Sequence, residues 1–200
     1  VPVDRALPSA ACAPVDVLLS DGSRGVVRRL SPTDGPALHV LHESVSDEAL
    51  RLRFFSVARV AAHHYVDHVL RDPRTLAMVA EVEGRLVALA TAEPLGADIS
   101  EVAFLVADDF HGRGLGTLLL EHLAATACRV GIARFEADVL PENHDMLRVF
   151  EDAGFEVVRR TDSGVVLVEM STSGTITQKQ AAAKRERRAE AKSVWSPLMP

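Results

Sequence analysis

The chain has 200 residues, is 48% hydrophobic and carries a formal net charge of −6, enough apolar content for one domain with its own core plus extensions. No run approaches the ~18 apolar residues of a membrane span, and no basic region followed by an apolar block marks a signal peptide. Cys12 and Cys128 form no metal-spaced pair, which predicts a reduced, cytoplasmic protein.

Charge is unevenly placed. From Ser171 onward six cations (Lys179, Lys184, Arg185, Arg187, Arg188 and Lys192) stand against Glu186 and Glu190, a net of +4 that leaves residues 1–170 at −10. An acidic body disfavours nucleic acid and membrane surfaces and favours basic partners, amines included. All three lysines of the chain lie in that tail.

In chain order, 1–13 is rich in Pro, Ala and Ser without periodicity and reads as a flexible leader. Val15–Leu19 and Gly25–Leu30 flank Asp21-Gly22 and predict a hairpin. Ser31-Pro32-Thr33-Asp34 caps a helix carrying Leu38, Leu41 and Val45; Asp47 caps a second through Phe54, and Ala61–Leu70 is a third. Thr75–Val82 and Arg85–Ala90 form a second hairpin across Glu83-Gly84. Val102–Val106 is a buried strand, followed by His111-Gly112-Arg113-Gly114-Leu115-Gly116 and a helix from Thr117 to Cys128. Arg134–Leu140 is another strand, Pro141-Glu142-Asn143 starts a helix to Asp152, and Gly154 closes it. Phe155–Val158 and Val165–Val168 form the last hairpin. Gln178–Lys192 has high helix propensity but no apolar stripe, which predicts a linker or a solvated helix. The apolar Val194–Pro200 reads as a connection to a further segment. The order predicts a mixed sheet flanked by helices, an α/β or α+β domain over 14–172, with 173–200 a charged linker or tail.

The strand–glycine turn–helix unit aims unpaired backbone N–H groups and a positive dipole end at whatever lies over the turn, so an anionic, phosphate-bearing ligand is its natural guest. The dinucleotide fingerprint needs Gly-x-Gly-x-x-Gly early in a βαβ unit; here the spacing is Gly-x-Gly-x-Gly and several strands precede it. A P-loop needs Gly-Lys-Ser/Thr, and no lysine stands here. The plain alternative is a tight turn whose glycines serve packing alone.

His111–Gly116 resembles the Arg/Gln-x-x-Gly-x-Gly/Ala signature of the GNAT N-acetyltransferase superfamily, with His111 where Arg or Gln is usual. Asn143 at a helix start and Phe150-Glu151-Asp152-Ala153-Gly154-Phe155 resemble that superfamily too, over roughly Val15 to Met170. The resemblance implies a GNAT-like, mixed, mostly antiparallel sheet and acetyl-CoA as cosubstrate, with no metal. It further implies that the backbone amides of Arg113, Gly114, Leu115, Gly116 and Thr117 cradle the pyrophosphate, with Gly112 also binding the cofactor and the His111 ring donating one hydrogen bond. Phe104, Leu105 and Val106 would form the edge that pairs with the pantetheine arm, with Asn143 and Phe150 beside it.

Acetyl transfer to an amine requires that the amine be neutral, and a lysine ammonium has a pKa of ~10.4, so a base is needed. Glu101 opens the strand, ten residues before His111, where the resemblance places a general base; Glu93, Asp98 and Asp138 are reserves. Phe150 stands where many relatives carry a tyrosine acid, and the chain's one tyrosine, Tyr65, lies in a distant helical segment. A thiolate of pKa near ~8.5 leaves without an acid. His64 and His68 stand four apart without a third ligand, so surface placement outweighs a metal pair.

Arg28–Asp34, Leu52-Arg53-Phe54-Phe55-Ser56 and Phe150 make the chain similar to the acetyltransferase domain of Pat-type bacterial protein lysine acetyltransferases. That resemblance implies a protein-lysine acceptor, an acyl-CoA synthetase, and a linked regulatory or synthetase-like domain. A small-molecule amine N-acetyltransferase and a weakly catalytic acyl-CoA-sensing module are the alternatives.

Overall fold

A computed structural model of the protein describes residues 13–162, 164–174 and 176–195. The leader expected over 1–13 falls outside them except for Ala13, as does most of the apolar end beyond 194. The elements are β1 (Val15–Leu18), β2 (Arg24–Arg29), α1 (Gly35–Ser44), α2 (Asp47–Phe54), α3 (Arg59–Arg71), β3 (Leu76–Val82), β4 (Arg85–Pro94) and β5 (Ile99–Val106). They continue with α4 (Leu115–Arg129), β6 (Arg134–Val139), α5 (His144–Asp152), β7 (Val157–Asp162), β8 (Val165–Ser171) and α6 (Ile176–Trp195). No helix among the described residues is long and apolar enough to cross a membrane.

The expected mixed, mostly antiparallel sheet is present: among the described residues, eight strands run in the order β1-β2-β3-β4-β5-β6-β8-β7, with β5–β6 the parallel pair. β3 and β4 are buried along almost their whole length, as strands covered on both faces must be. Strand alternation assigns the two layers. Thr91 of β4, paired with Ala103 of β5, meets the Tyr65 hydroxyl of α3 at 2.8 Å. Phe104, the next residue of β5, faces the other way and meets Phe150 of α5 edge to face, with centroids 6.3 Å apart.

Several boundaries differ from expectation by a residue or a turn. Ser46, not Asp47, caps α2: its hydroxyl accepts the Ala49 N–H, and Asp47 becomes an acid in the first turn. Serine and aspartate both cap helices, and here it is Ser46 that has the extended backbone of a cap residue. α5 starts at His144 with Asn143 as its cap, and Ala153 rather than Gly154 is its C-cap, Gly154 following at φ +76°. β4 runs past Ala90 to Pro94 because β5 keeps pairing with it that far. The last hairpin begins at Val157 and reaches Asp162.

The Gln178–Lys192 tract is helical, and it is tied to the body. Arg185 donates to the Asp152 carbonyl at 2.7 Å and pairs with Glu121 of α4. Ala189 is buried, and the Lys192 ammonium donates to the Ser20 carbonyl at 2.7 Å. A Cβ on Gly154 would meet the Gln178 Cα at 3.0 Å, so the α5 terminus and α6 are in close contact there. Long cationic side chains and small alanines seat this helix where no apolar stripe exists.

His42 of α1 is 2% exposed. Its Nδ1 donates to the Leu38 carbonyl at 2.8 Å, while Nε2 has no hydrogen-bond partner among the described residues. Burial lowers the ring pKa from its usual 6.5 to about 4. Between those values the unfolded chain binds a proton that the folded protein refuses, so stability is full above about pH 6.5 and falls as pH drops toward 4. The loss attributable to this ring is about 3 kcal/mol. Urea melts from pH 7 to 4 should show it, and His42→Met should fall less steeply than wild type over the same range.

Candidate active site

β5 pairs with β4 from Ala88↔Val106 to Pro94↔Ser100. On its other side it pairs with β6 only at Ile99↔Arg134, Ser100↔Phe135 and Glu101↔Glu136. β6 meanwhile continues to pair with β8 through Val139. The two parallel strands therefore fork after Glu101, and among the described residues the β5 edge from Val102 to Val106 has no strand partner on that side. A cleft of about 680 Å³ occupies the fork, walled by β5, by Ala137–Val139, by the glycine turn, and by side chains of α2 and α5. Phe104, Leu105 and Val106 all lie on this edge. Apart from the Val106 carbonyl, which His111 takes, its outward N–H and C=O groups can bond an extended ligand carrying amides of its own, as an added strand would.

The glycine turn closes the far end of the edge. Gly112 and Gly114 have φ of +71° and +82°, a region costly for any residue with a Cβ. Gly114 leads into α4, whose N-terminus has no side-chain cap among the described residues, so the first-turn amides of Leu115, Gly116 and Thr117 can bind an anion. Gly116 serves packing as well: a Cβ there would lie 2.9 Å from Val149 Cγ2 of α5. Thr117 is buried.

The turn is braced from behind by residues that sequence reasoning missed. Ser20, in the β1–β2 turn, donates its N–H to the Arg113 carbonyl at 2.9 Å and its hydroxyl to the Gly112 carbonyl at 3.2 Å. The Arg113 side chain lies over the Phe110 ring, 4.6 Å from its centroid, and reaches Asp21 at 3.2 Å. Arg113 itself does not line the cleft; its carbonyl and its charge both serve the brace. His111 Nε2 bonds the Val106 carbonyl at 3.0 Å. That ring nitrogen must carry the proton, since a carbonyl only accepts. The ring ties the turn to the end of β5, and its Nδ1 is left as an acceptor while the ring is neutral.

Asn143 Oδ1 caps α5 by accepting the Met146 N–H at 3.1 Å, which leaves the amide Nδ2 as a donor at the cleft wall. Phe150 is fully buried and packs on Phe104, so this wall is apolar and carries no hydroxyl.

Glu101 stands where the fork opens. Its side chain is accessible from the cleft. The protein around it still removes enough water to raise the carboxyl above the ordinary glutamate value, and Glu93, Asp138 and Glu136 add to that rise while Arg53 opposes it. Of the reserve carboxylates, Glu93 is its cross-strand partner on β4 and Asp138 lines the cleft from β6. Asp98 lies at the closed end, its carbonyl accepting from the Ala133 N–H. Tyr65, remote in sequence, is brought beside Glu93, the cross-strand partner of Glu101. Its hydroxyl donates to Glu93 at 2.7 Å, and burial raises its pKa to about 12. His68, one of the two histidines considered as a metal pair, turns to Glu93 at 3.1 Å. Arg53 lies over the rings of Phe54 and Tyr65, 4.7 and 4.6 Å from their centroids.

A forked parallel pair ending in an uncapped, glycine-led helix, with a carboxylate at the apex, is an architecture suited to acyl transfer. The sequence profile of the Acetyltransferase (GNAT) family matches residues 42–155, and the chain belongs to this family. It is 32% identical over 167 residues to Acetyltransferase Pat of Mycolicibacterium smegmatis, covering 81% of this chain and 50% of that protein. The chain therefore spans about half the length of this curated relative. The GNAT domain of S. lividans PAT superposes with a TM-score of 0.73 at 36% identity, over 79% of this chain and 96% of that one. The cAMP-binding acyltransferase from Mycobacterium smegmatis gives 0.56 at 25% identity, over 90% and 56%. yncA from Salmonella typhimurium, solved with acetyl-CoA, shares the fold at a TM-score of 0.61 and 17% identity, over 76% and 96%.

Replacing Gly114 with Ala forces a Cβ into the left-handed region at a cost of about 1–2 kcal/mol and turns the first-turn amides off their common target. Calorimetric titration with CoA should show at least roughly tenfold weaker binding. Binding equal to wild type would show that the turn holds no phosphate.

Proposed function

We propose that the protein is a lysine N-acetyltransferase that moves acetyl from acetyl-CoA to a lysine of a protein substrate of the acyl-CoA synthetase class, with Glu101 as general base. The observation that carries this reading is the position of Glu101: it opens the unpaired edge of β5, at the end of the cleft opposite the glycine turn. The backbone from Gly112 to Thr117 would hold the pyrophosphate, the edge Phe104–Val106 and the Asn143 amide the pantetheine arm, and the Phe104–Phe150 pair its apolar wall. His111 would support the turn through Val106 and bond a phosphate only when protonated.

Acetyl-CoA supplies the acetyl group as an activated thioester. Glu101 takes a proton from the acceptor ammonium, directly or through a water, so that the nitrogen lone pair can form the new amide bond as the carbon–sulfur bond breaks. A raised carboxyl pKa suits that task, since a stronger base still ionised at neutral pH removes the proton with more driving force. The buried Phe150 ring offers no acid for the departing sulfur, and the Tyr65 proton is committed to Glu93, so solvent protonates it. Similarity to Pat and to the GNAT domain of S. lividans PAT supports the protein acceptor. The half-length match to Pat also supports a linked regulatory or synthetase-like domain in the full protein.

A thiol-release assay with acetyl-CoA, an acyl-CoA synthetase and a panel of amino sugars and polyamines tests the acceptor. Rapid release with the synthetase and slow release with small amines is expected; the reverse overturns the protein-lysine reading. Glu101→Gln should lower kcat by on the order of 10²- to 10⁴-fold and leave CoA affinity within about twofold. If turnover is unaffected, Glu101 is not the base, and a CoA-sensing role gains ground. Because the Glu101 carboxyl is raised, kcat/KM should begin to fall at a higher pH than an ordinary glutamate would dictate as the solution is acidified.

A further inference from the structure

We propose that Glu93 is the second carboxylate of a two-carboxylate seat for the acceptor ammonium, held beside Glu101 by Tyr65 and His68; this rests on the amine-acetylation reading above. The register places the pair. Glu93 and Glu101 are direct cross-strand partners on β4 and β5, so both side chains leave the same face of the sheet, the face on which α3 lies. Opposed residues of an antiparallel pair have Cβ atoms about 4.5–5.5 Å apart, and like charges there are destabilising. Such a pair needs compensation in the empty site and becomes an asset when a cation binds between its members.

The compensation is visible around Glu93. The Tyr65 hydroxyl donates to Oε1 at 2.7 Å and His68 Nε2 donates to Oε2 at 3.1 Å. A tyrosine hydroxyl has one proton to give, so the Thr91 hydroxyl, 2.8 Å away, donates to Tyr65 in turn. The chain Thr91 to Tyr65 to Glu93 starts at a buried threonine and fixes the carboxylate at its outer end. The Glu93 side chain is still 31% exposed, and each oxygen keeps a further acceptor position. Arg53, laid over the Tyr65 ring, limits the negative field at Glu101.

An ammonium has three donors. In the seat one bonds Glu101, one bonds Glu93 and the third faces water. When Glu101 takes its proton, the nitrogen becomes neutral, Glu101 becomes a neutral acid, and Glu93 keeps the remaining negative charge and its bond to the amine. Glu93 therefore binds and orients the acceptor and raises the basicity of Glu101, whose other charged neighbours are Asp138 and Glu136 on β6 and Arg53 on α2. A Glu93 that merely fastened α3 to the sheet would do neither.

The test uses the full chain with Nα-acetyl-lysine amide as acceptor and selective ¹³C labelling of glutamate to follow the Glu101 carboxyl by NMR. Glu93→Gln keeps the shape and a Tyr65 acceptor. It should raise KM for the amine about ten- to a hundredfold, the ratio one charged hydrogen bond supplies, with kcat within about threefold. It should also move the Glu101 titration midpoint down by roughly half a pH unit or more. Tyr65→Phe, which frees Glu93 without discharging it, should raise KM by a smaller factor and leave that midpoint within about 0.2 units of wild type. An unchanged KM, or an unchanged Glu101 midpoint in Glu93→Gln, overturns the seat. Wild type that acetylates no amine at all would sink the amine-acetylation reading instead; the NMR midpoint, read without acceptor, would still decide whether the two carboxylates are coupled.

Discussion

The ladder between β5 and β6 stops after three residue pairs, and most of what this molecule can do depends on that stop. β6 is held by β8 on its far side through Val139, while β5 is held by β4 through Val106. Each strand is anchored by a neighbour that diverges from the other, so the two cannot stay together. In a closed interior the freed backbone groups would cost about 1–3 kcal/mol each. Here they face an open cleft, where water or a ligand's amides can bond them. The same divergence sends β5 outward into the glycine turn and leaves Glu101 at the apex.

The two ends of the cleft have opposite electrostatic character. At one end, the uncapped start of α4 presents amides and a positive dipole end. At the other, Glu101 lies among further negative charges, those of Glu93, Asp138 and Glu136, opposed by the positive charge of Arg53. An anion at the first end and a cation at the second suit an acyl carrier with a pyrophosphate tail and an ammonium acceptor. The ends are also braced differently. Backbone and hydroxyl groups of Ser20 stiffen the glycine turn, and Lys192 of α6 holds Ser20 in turn. The acidic end is fixed by side chains of α3, which can rearrange with less disturbance of the sheet.

Much of this was legible from local residues. The Asp21-Gly22 hairpin, the glycine turn with its left-handed residues, Asn143 as the start of α5 and Glu101 on the strand ahead of the turn all appear where local chemistry put them. Ser46 displaced Asp47 as a cap because two neighbouring residues were equally able to cap. α6 read as solvated because its contacts come from arginine, lysine and alanine rather than from a stripe of leucines. The His111 ring read as a phosphate donor by its place in a motif, yet it turns to Val106, and the Arg113 side chain turns to Asp21 and Phe110, contacts that no spacing announces.

By itself the sequence determined turns, caps, apolar strands and the residue types available for chemistry. These follow from conformational preferences that act over a few residues: left-handed glycine, amide-capping serine and asparagine, and the two-residue period of a strand. The tertiary structure alone decided that β5 and β6 part after Glu101, that Glu93 lies directly opposite Glu101, and that Tyr65 closes on Glu93 from a helix packed over the sheet. Each of those depends on strand register and on helix docking between distant segments. Their energies come from pairing and burial across the fold, which no local window of the chain contains.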